Sequence, residues 1–350
     1  MVNLSESGTA NCYIVSAPGS YMFTPTKGNS TEQVGLIVSA DVLWESFGTD
    51  VAPSVGDLVA EVKYEGEVIS FSVPKDFKEG NAVIAAYDDS GNILWSWHVW
   101  LTDQPQGQVY YNDAGTMMDR NLGATSATPG ELGTLGLLYQ WGRKDPFLGT
   151  SVFAEIEEGA TVAKSTVSWP SPVESDPIVG TIEYTIANPT TFIAYTYHIQ
   201  GQDKYDWYYT EEIADYDNTR WATSDKDKSI YDPCPVGWRL PDGGEDGVWG
   251  KAFGPSYDYS MGDEWARLGM DFSGKLGADS TIWYPFPGII GREGELQNVG
   301  IEGAYLTATP EIVVNDGESS GGCCLYVALD CHNLNALLRV CGGSIRCIQE

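Results

Sequence analysis

Between Cys12 and Asp103 the sequence is cut into short apolar runs by turn-forming residues, and this spacing restricts the fold more than any other feature. The runs read NCYIVS, VGLIVSADVLW, GDLVAEVKY, EGEVISFSVP, GNAVIAAY and ILWSWHVWL, with APGS and DDSGN among the breaks. They are rich in β-branched and aromatic residues, which fit a pleated surface, and too short for a series of stable helices. Short strands at such intervals predict a β-sandwich. Asp88–Asn92 (DDSGN) reads as a hairpin turn between two of them; a calcium-loop reading of its acids lacks the further ligand positions of an EF-hand. Composition agrees: 40 Gly, 20 Tyr and 12 Trp against 19% charged residues favour tight turns and aromatic packing over long helices.

At 350 residues the chain is long enough for two ordinary domains. DQPQGQ, Asp103–Gln108, replaces apolar residues with Pro, Gly and amides, so a boundary is expected there, giving residues 1–105 and 106–350. Beyond it, Thr134–Phe147 (TLGLLYQWGRKDPF) has apolar residues at helical spacing and ends in Asp-Pro, which predicts a short helix. Leu148–Lys228 is polar and Pro-punctuated without clear periodicity, as in an elaborated loop region. Tyr231–Trp249 is turn-rich and leads toward a helix for which Asp242 is the candidate N-cap. The remaining runs, IWYPFPGIIG, AYLTATP, CLYVALDC and GSIRCIQE, are strand-like. The expected second half thus combines a few short helices with a small antiparallel sheet, and the chain as a whole is mainly β with an α+β portion.

The formal charge of −30 opposes binding to a phosphate backbone, because that affinity comes from Lys and Arg displacing counterions. No apolar stretch reaches the roughly 18 residues of a membrane span. The start, MVNLSESGTANCYIV, has no export-signal pattern and runs straight into an extended segment, so any export signal is expected to be absent from this chain. Three histidines occur, His98, His198 and His332, without a G-x-S-x-G nucleophile motif, and catalysis is not expected. His98 and His198 read as packing residues. Of the seven cysteines, Cys323, Cys324, Cys331, Cys341 and Cys347 crowd the end of the chain, with Cys12 and Cys234 apart and no CxxC pair. No cofactor or metal is called for.

Four strings in order, MDRNLGA (Met118–Ala124), GLLYQWGRKDPF (Gly136–Phe147), DPCPVGWRLP (Asp232–Pro241) and the terminal GSIRCIQE, resemble the Fibrobacter succinogenes major paralogous domain, a surface module of Bacteroidetes-type bacteria. That domain is similar to the C-type-lectin and formylglycine-generating-enzyme superfamily. The resemblance implies a C-type-lectin-like second domain, and GTANCYIVSAPGSYMF with ILWSWHVWLTD resembles the Ig-like β-sandwich that precedes it in pilus-tip proteins. It also implies that the chain ends lie close together, making Cys234 and Cys347 disulfide candidates, with two buried free thiols as the alternative. The E-P-N, Q-P-D and W-N-D calcium motifs of sugar-binding lectins are absent; Asn315, Asp316 and Glu318 read as solvated turn residues. The formylglycine branch relies on a reactive cysteine pair, for which nothing outside the crowded tail is available.

That tail is compositionally odd. Residues 319–348 contain no Lys, Glu, Gln, Met or Trp, the types that no pyrimidine-ending codon encodes. Adenine-specific mutagenesis of Asn codons leaves this pattern, and the segment resembles the variable region of targets of diversity-generating retroelements, which include type V pilus-tip adhesins. The variable region is expected at about 306–343. On this reading Cys323, Cys324, Cys331 and Cys341 arise without a disulfide pattern; a second disulfide set or a metal cluster with His332 are the alternatives. In CLYVALDC, period-two alternation places Leu325, Val327 and Leu329 in the core and Cys324, Tyr326, Ala328 and Asp330 on an exposed face. With Cys323, Cys331, His332, Asn333, Leu334, Asn335, Ala336, Leu337, Leu338 and Cys341 these form the candidate ligand-binding set; a core role for Leu334, Leu337 and Leu338 stays open.

The expected function is therefore an extracellular, cell-surface or pilus-tip adhesin, anchored at a fimbrium tip or the outer membrane. It binds a protein or glycan through the tail and other pilus subunits through residues 1–105. The alternatives are a structural pilin without ligand specificity and an enzyme of hydrolytic or formylglycine type.

Overall fold

In the computed structural model the described residues are 1–153, 160–194, 197–199, 202–211, 218–223, 225–254, 256–258, 268–272, 282–314, 318–329 and 331–350. The first hundred residues form two four-stranded sheets. One runs in the order Val2–Asn3, Gly19–Phe23, Val68–Val73, Ala60–Glu65; the other Cys12–Val15, Ile93–Leu101, Gly80–Tyr87, Ser39–Ser46. Alternation sets the inner face of the first sheet: Ile69, Phe71 and Val73 point inward while Val68, Ser70 and Ser72 are only half-buried. They meet Ala82, Ile84, Trp95, Trp97 and Val99 of the second sheet in one apolar core, a sandwich-like arrangement. Asp88–Asn92 is the turn of the hairpin joining Gly80–Tyr87 to Ile93–Leu101 in that second sheet; the Asp88 carboxylate accepts from the Ser90 and Asn92 amides.

Gly80–Leu101 carries no clean alternation because the second sheet is buried on both faces. Its outer side chains, Val83 and Trp100, with Cys12 and Trp44, join Met118, Leu122, Leu137, Tyr139 and Trp141 in a second core that links the sandwich to the rest of the chain. Several polar groups at this junction are paired. Asn11 Nδ2 donates to the carbonyls of Ile230 (2.7 Å) and Asp232 (2.9 Å), and Trp100 Nε1 to that of Ala124 (2.9 Å). Buried Lys144 reaches Ser96 Oγ (2.6 Å) and Asp145 (2.7 Å) beneath Trp95, satisfying a charge that would otherwise be costly to desolvate.

Beyond Gly107 the largest sheet has eight strands rather than the small sheet expected. Its order is Ser256–Asp258, Cys331–Leu338, Glu318–Ala328, Glu302–Val314, Gly342–Ser344, Ile289–Ile290, Leu296–Gln297, with Leu138–Gln140 also pairing Gly342–Ser344. A smaller sheet places Ile348–Gln349 between Trp238–Arg239 and Gly115–Met118, and a disulfide joins Cys234 to Cys347 beside it. Two six-residue α-helices, Ile182–Ala187 and Val248–Phe253, are found among the described residues. None is long and apolar enough to cross a membrane.

Two local expectations are corrected. Thr134–Phe147 is not a helix: a 3-10 turn at Leu132–Thr134 is followed by the strand Leu138–Gln140. Gly136 (φ 72°) and Gly142 (φ 86°) take left-handed conformations that end any helical run, and the apolar residues that mimicked helical spacing are simply buried on all sides. Asp242 does not cap Val248–Phe253; Gly247 does, while the Asp242 carboxylate lies 3.1 Å from Arg239 Nη2.

Candidate functional site

The tail forms a three-stranded antiparallel meander, Glu302–Val314, Glu318–Ala328 and Cys331–Leu338. Register assigns its two faces. Tyr305, Leu325 and Leu334 stand opposite one another, as do Gly303, Val327 and His332. This face lies on a core of Phe253, Phe272, Ile282 and Tyr284, with Leu325 and Val327 at 0% exposure. The other face carries Ala304, Tyr326 and Asn333 in one row and Leu306, Cys324 and Asn335 in the next. Leu306 and Cys324 are covered by the junction core; outward from them the face opens. On this side Tyr326, Ala328 and Asn333 are half-buried, Asn335 is exposed, and Leu337 packs on the junction core; Ala336 and Leu338, opposite Cys323 and Gly321, are half-buried but follow Leu334 to the core side.

The predicted alternation therefore separates Leu325 and Val327 from Tyr326 and Ala328, but four members of the predicted ligand set are buried. His332 lies on the core face, its ring centroid 5.2 Å from that of Phe272 and 6.0 Å from that of Phe253. The strand beyond the turn is paired in register, so His332 must follow Val327 inward rather than sit in an exposed loop. Leu334, partly buried, follows Leu325 to the same side. Cys324 is buried because both faces of the sheet are covered at that end, and burial pushes its thiol up to about 12. Cys323 is closed in by Gly243 and Thr307; burial first, then its hydrogen bond to Glu311 Oε2 (2.9 Å), raises its pKa. Cys341 is buried beyond the last strand, and desolvation raises it to about 12. Asp330, Asn315 and Asp316 fall outside the described residues, as do the side chains of Glu318 and His198.

Cys12, Cys323, Cys324 and Cys341 are buried free thiols, and Cys331 is half-exposed. Among the described residues no group of three or more His, Cys, Asp or Glu is placed to hold a metal ion. His98 is buried, held by Asn81 through Nε2 (2.9 Å), and desolvation pulls its pKa down to about 3, so it is a neutral packing residue at ordinary pH.

Glu302 was missed from sequence. It stands opposite Ala328 at the open end of the face, and its carboxylate accepts a hydrogen bond from the Tyr326 phenol. Burial and that carboxylate together raise the phenol pKa, keeping it a neutral donor. No motif marks Glu302; only strand register brings it beside Tyr326. The open part of this face is a shallow strip of hydroxyl, amide and aliphatic groups. A cleft of about 450 Å³ adjoins the meander near Thr309 and Pro310, lined also by Asn218, Asp242, Gly243 and Glu245. Surfaces of this kind recognise by shape and hydrogen bonding.

Comparison with protein-family models, curated proteins and solved structures returns no match.

Proposed function

We propose that this chain is a cell-surface or pilus-tip adhesin that binds a protein or glycan through a diversified face on a C-type-lectin-like scaffold. An Ig-like N-terminal sandwich serves to dock other pilus subunits. The observation that carries the reading is a coincidence of composition and placement. The stretch lacking Lys, Glu, Gln, Met and Trp contains two neighbouring strands whose register gathers Tyr326, Asn333 and Asn335 on one side, where the sheet opens. Tyr and Asn are residues of adaptable recognition surfaces, combining contact area with hydrogen bonding at low entropic cost. The Cys234–Cys347 disulfide fits an exported protein, since such bridges persist in oxidising compartments.

The test is sequence comparison of this gene among sister strains. Changes are expected to concentrate between Leu306 and Gly343, at Tyr326, Ala328, Cys331, Asn333 and Asn335, while Leu325 and Val327 stay fixed. Changes spread evenly along the chain, or concentrated on the core-facing positions, overturn the proposal.

A further inference from the structure

The last directly opposed pair of the hairpin is Gly321 with Leu338, and immediately outside it stand Ser320 and Arg339. Both side chains converge on Asp206, a residue of the polar region that precedes the meander. Asp206 Oδ2 accepts from Ser320 Oγ (2.7 Å), lies 3.5 Å from Arg339 Nη1 and 3.4 Å from Arg220 Nη2, while Oδ1 accepts from the Tyr208 amide (3.0 Å). All four of Asp206, Arg220, Ser320 and Arg339 are 1% exposed. Arg339 further donates from Nε to the Gly321 carbonyl (3.0 Å), and its guanidinium stacks 4.0 Å from the Trp141 ring centroid; that of Arg220 lies 4.6 Å from Trp207. The Val340 amide donates to the Tyr205 carbonyl (3.1 Å), so the loop carrying Asp206 is also tied to the hairpin through the backbone. Trp141 fills the space over Gly322, where a Cβ would fall 2.1 Å from the ring.

We infer that Asp206 is a positioning residue that closes the base of the hairpin and fixes its register, so that the reading face can change without the strands slipping. A one-residue slip moves every side chain to the opposite face. Here a slip also carries Ser320 or Arg339 off Asp206 and leaves buried guanidinium groups short of the carboxylate they share, which is among the costlier losses a fold can suffer. Trp141 over Gly322 opposes the same movement sterically. The register is thus held by groups at the base of the hairpin, none of which belongs to the open strip of Tyr326, Ala328, Asn333 and Asn335. Ser320 and Arg339 lie inside the compositionally odd tail, yet are assigned to the fixed scaffold.

The purpose given to the clamp rests on the adhesin reading, but its action is measured without any ligand. Hydrogen exchange of the amides from Gly321 to Leu338 is compared in the full chain, in Asp206→Asn, in Ser320→Ala, and in a face variant carrying Tyr326→Ser, Ala328→Ser, Asn333→Ser and Asn335→Ser. Reference amides are those of Gly80–Tyr87 and Ile93–Leu101. Ser320→Ala, which removes one buried hydrogen bond and is mild enough to fold, is expected to raise hairpin exchange about fivefold. Asp206→Asn is expected to raise it at least tenfold, with the reference strands unchanged in both. The face variant is expected to stay within about threefold of the unmodified chain, and combining it with Asp206→Asn is expected to raise exchange beyond the product of the separate effects. Unchanged hairpin exchange in Ser320→Ala and Asp206→Asn overturns the inference, as does an equal rise in hairpin and reference strands. If Asp206→Asn fails to fold, the Ser320→Ala result decides alone. Loss of the clamp in this experiment leaves the adhesin reading to the strain comparison; an even spread of strain differences removes that reading and leaves the clamp standing.

Discussion

Replacing Cys234 and Cys347 together by Ala removes a cross-link between residues 113 apart in sequence. In the chain-entropy treatment, a loop of that length restricts the unfolded chain by about 16 cal/mol/K, or about 5 kcal/mol at 25 °C. Native-state effects commonly reduce the measured figure, so a loss of about 2 to 5 kcal/mol is expected. Both sulfurs lie at 0% exposure in the junction core, beside the strands Trp238–Arg239 and Ile348–Gln349, so the bridge fastens the end of the chain under the turn at Pro235–Gly237. The assay is equilibrium urea unfolding of the double variant against the unmodified protein, monitored by tryptophan fluorescence and by circular dichroism to test for a single transition. A double rather than a single replacement avoids leaving a free thiol to cross-link. A loss below about 1 kcal/mol with coincident transitions would refute the view that this bridge restrains the unfolded chain.

Asp232 is buried and its pKa is raised from the ordinary 3.8 to about 6, by desolvation first, against the lowering effects of Lys228 and of the Leu240 and Cys234 amides. The folded state therefore holds this proton to higher pH than the unfolded chain does. Stability falls as pH rises from 3.8 to 6, by about 3 kcal/mol for this residue, and stays lower above that. Unfolding free energies at pH 4 and pH 7 are expected to differ by about 2 kcal/mol more in the unmodified protein than in Asp232→Asn; equal pH dependence in both contradicts the assignment. Native thiol titration with a maleimide should label Cys331 rapidly and leave Cys12, Cys323, Cys324 and Cys341 unreacted until denaturation; two or more fast thiols per chain would be the wrong result. Val327→Ala, at a fully buried site, should cost about 1 to 3 kcal/mol in the same urea assay, whereas Asn335→Asp on the open strip should stay within about 0.5 kcal/mol.

The N-terminal sheets were legible because a strand buried on one face, such as Val68–Val73, announces its inner side by alternation. Gly80–Leu101 gave its strands away through β-branched and aromatic content but not the direction of its faces, since both are covered. The same double burial made Leu135, Leu137, Leu138 and Trp141 look helical. In the tail, period two correctly separated Val327 from Tyr326. It gave no warning that Cys324 is covered from the other side, nor that the strand resumes at Cys331 and turns His332 inward. Glu302 and Asp206 carry no signal at all in sequence. Each acquires its place only through pairing or packing between segments far apart in the chain, and Asp206 stands in a region without periodicity.

The central claim is that the open strip of the meander reads a ligand. Its most direct measurement is a binding screen against immobilised glycans and host surface proteins, comparing the unmodified protein with one carrying Tyr326→Asn, Ala328→Asn and Cys331→Asn. At least one ligand is expected to bind the unmodified protein, with affinity reduced more than tenfold in a variant that keeps a cooperative urea transition and the unmodified circular dichroism spectrum, as loss of central contact residues demands. Equal binding by the two proteins, or no ligand for either, contradicts the claim.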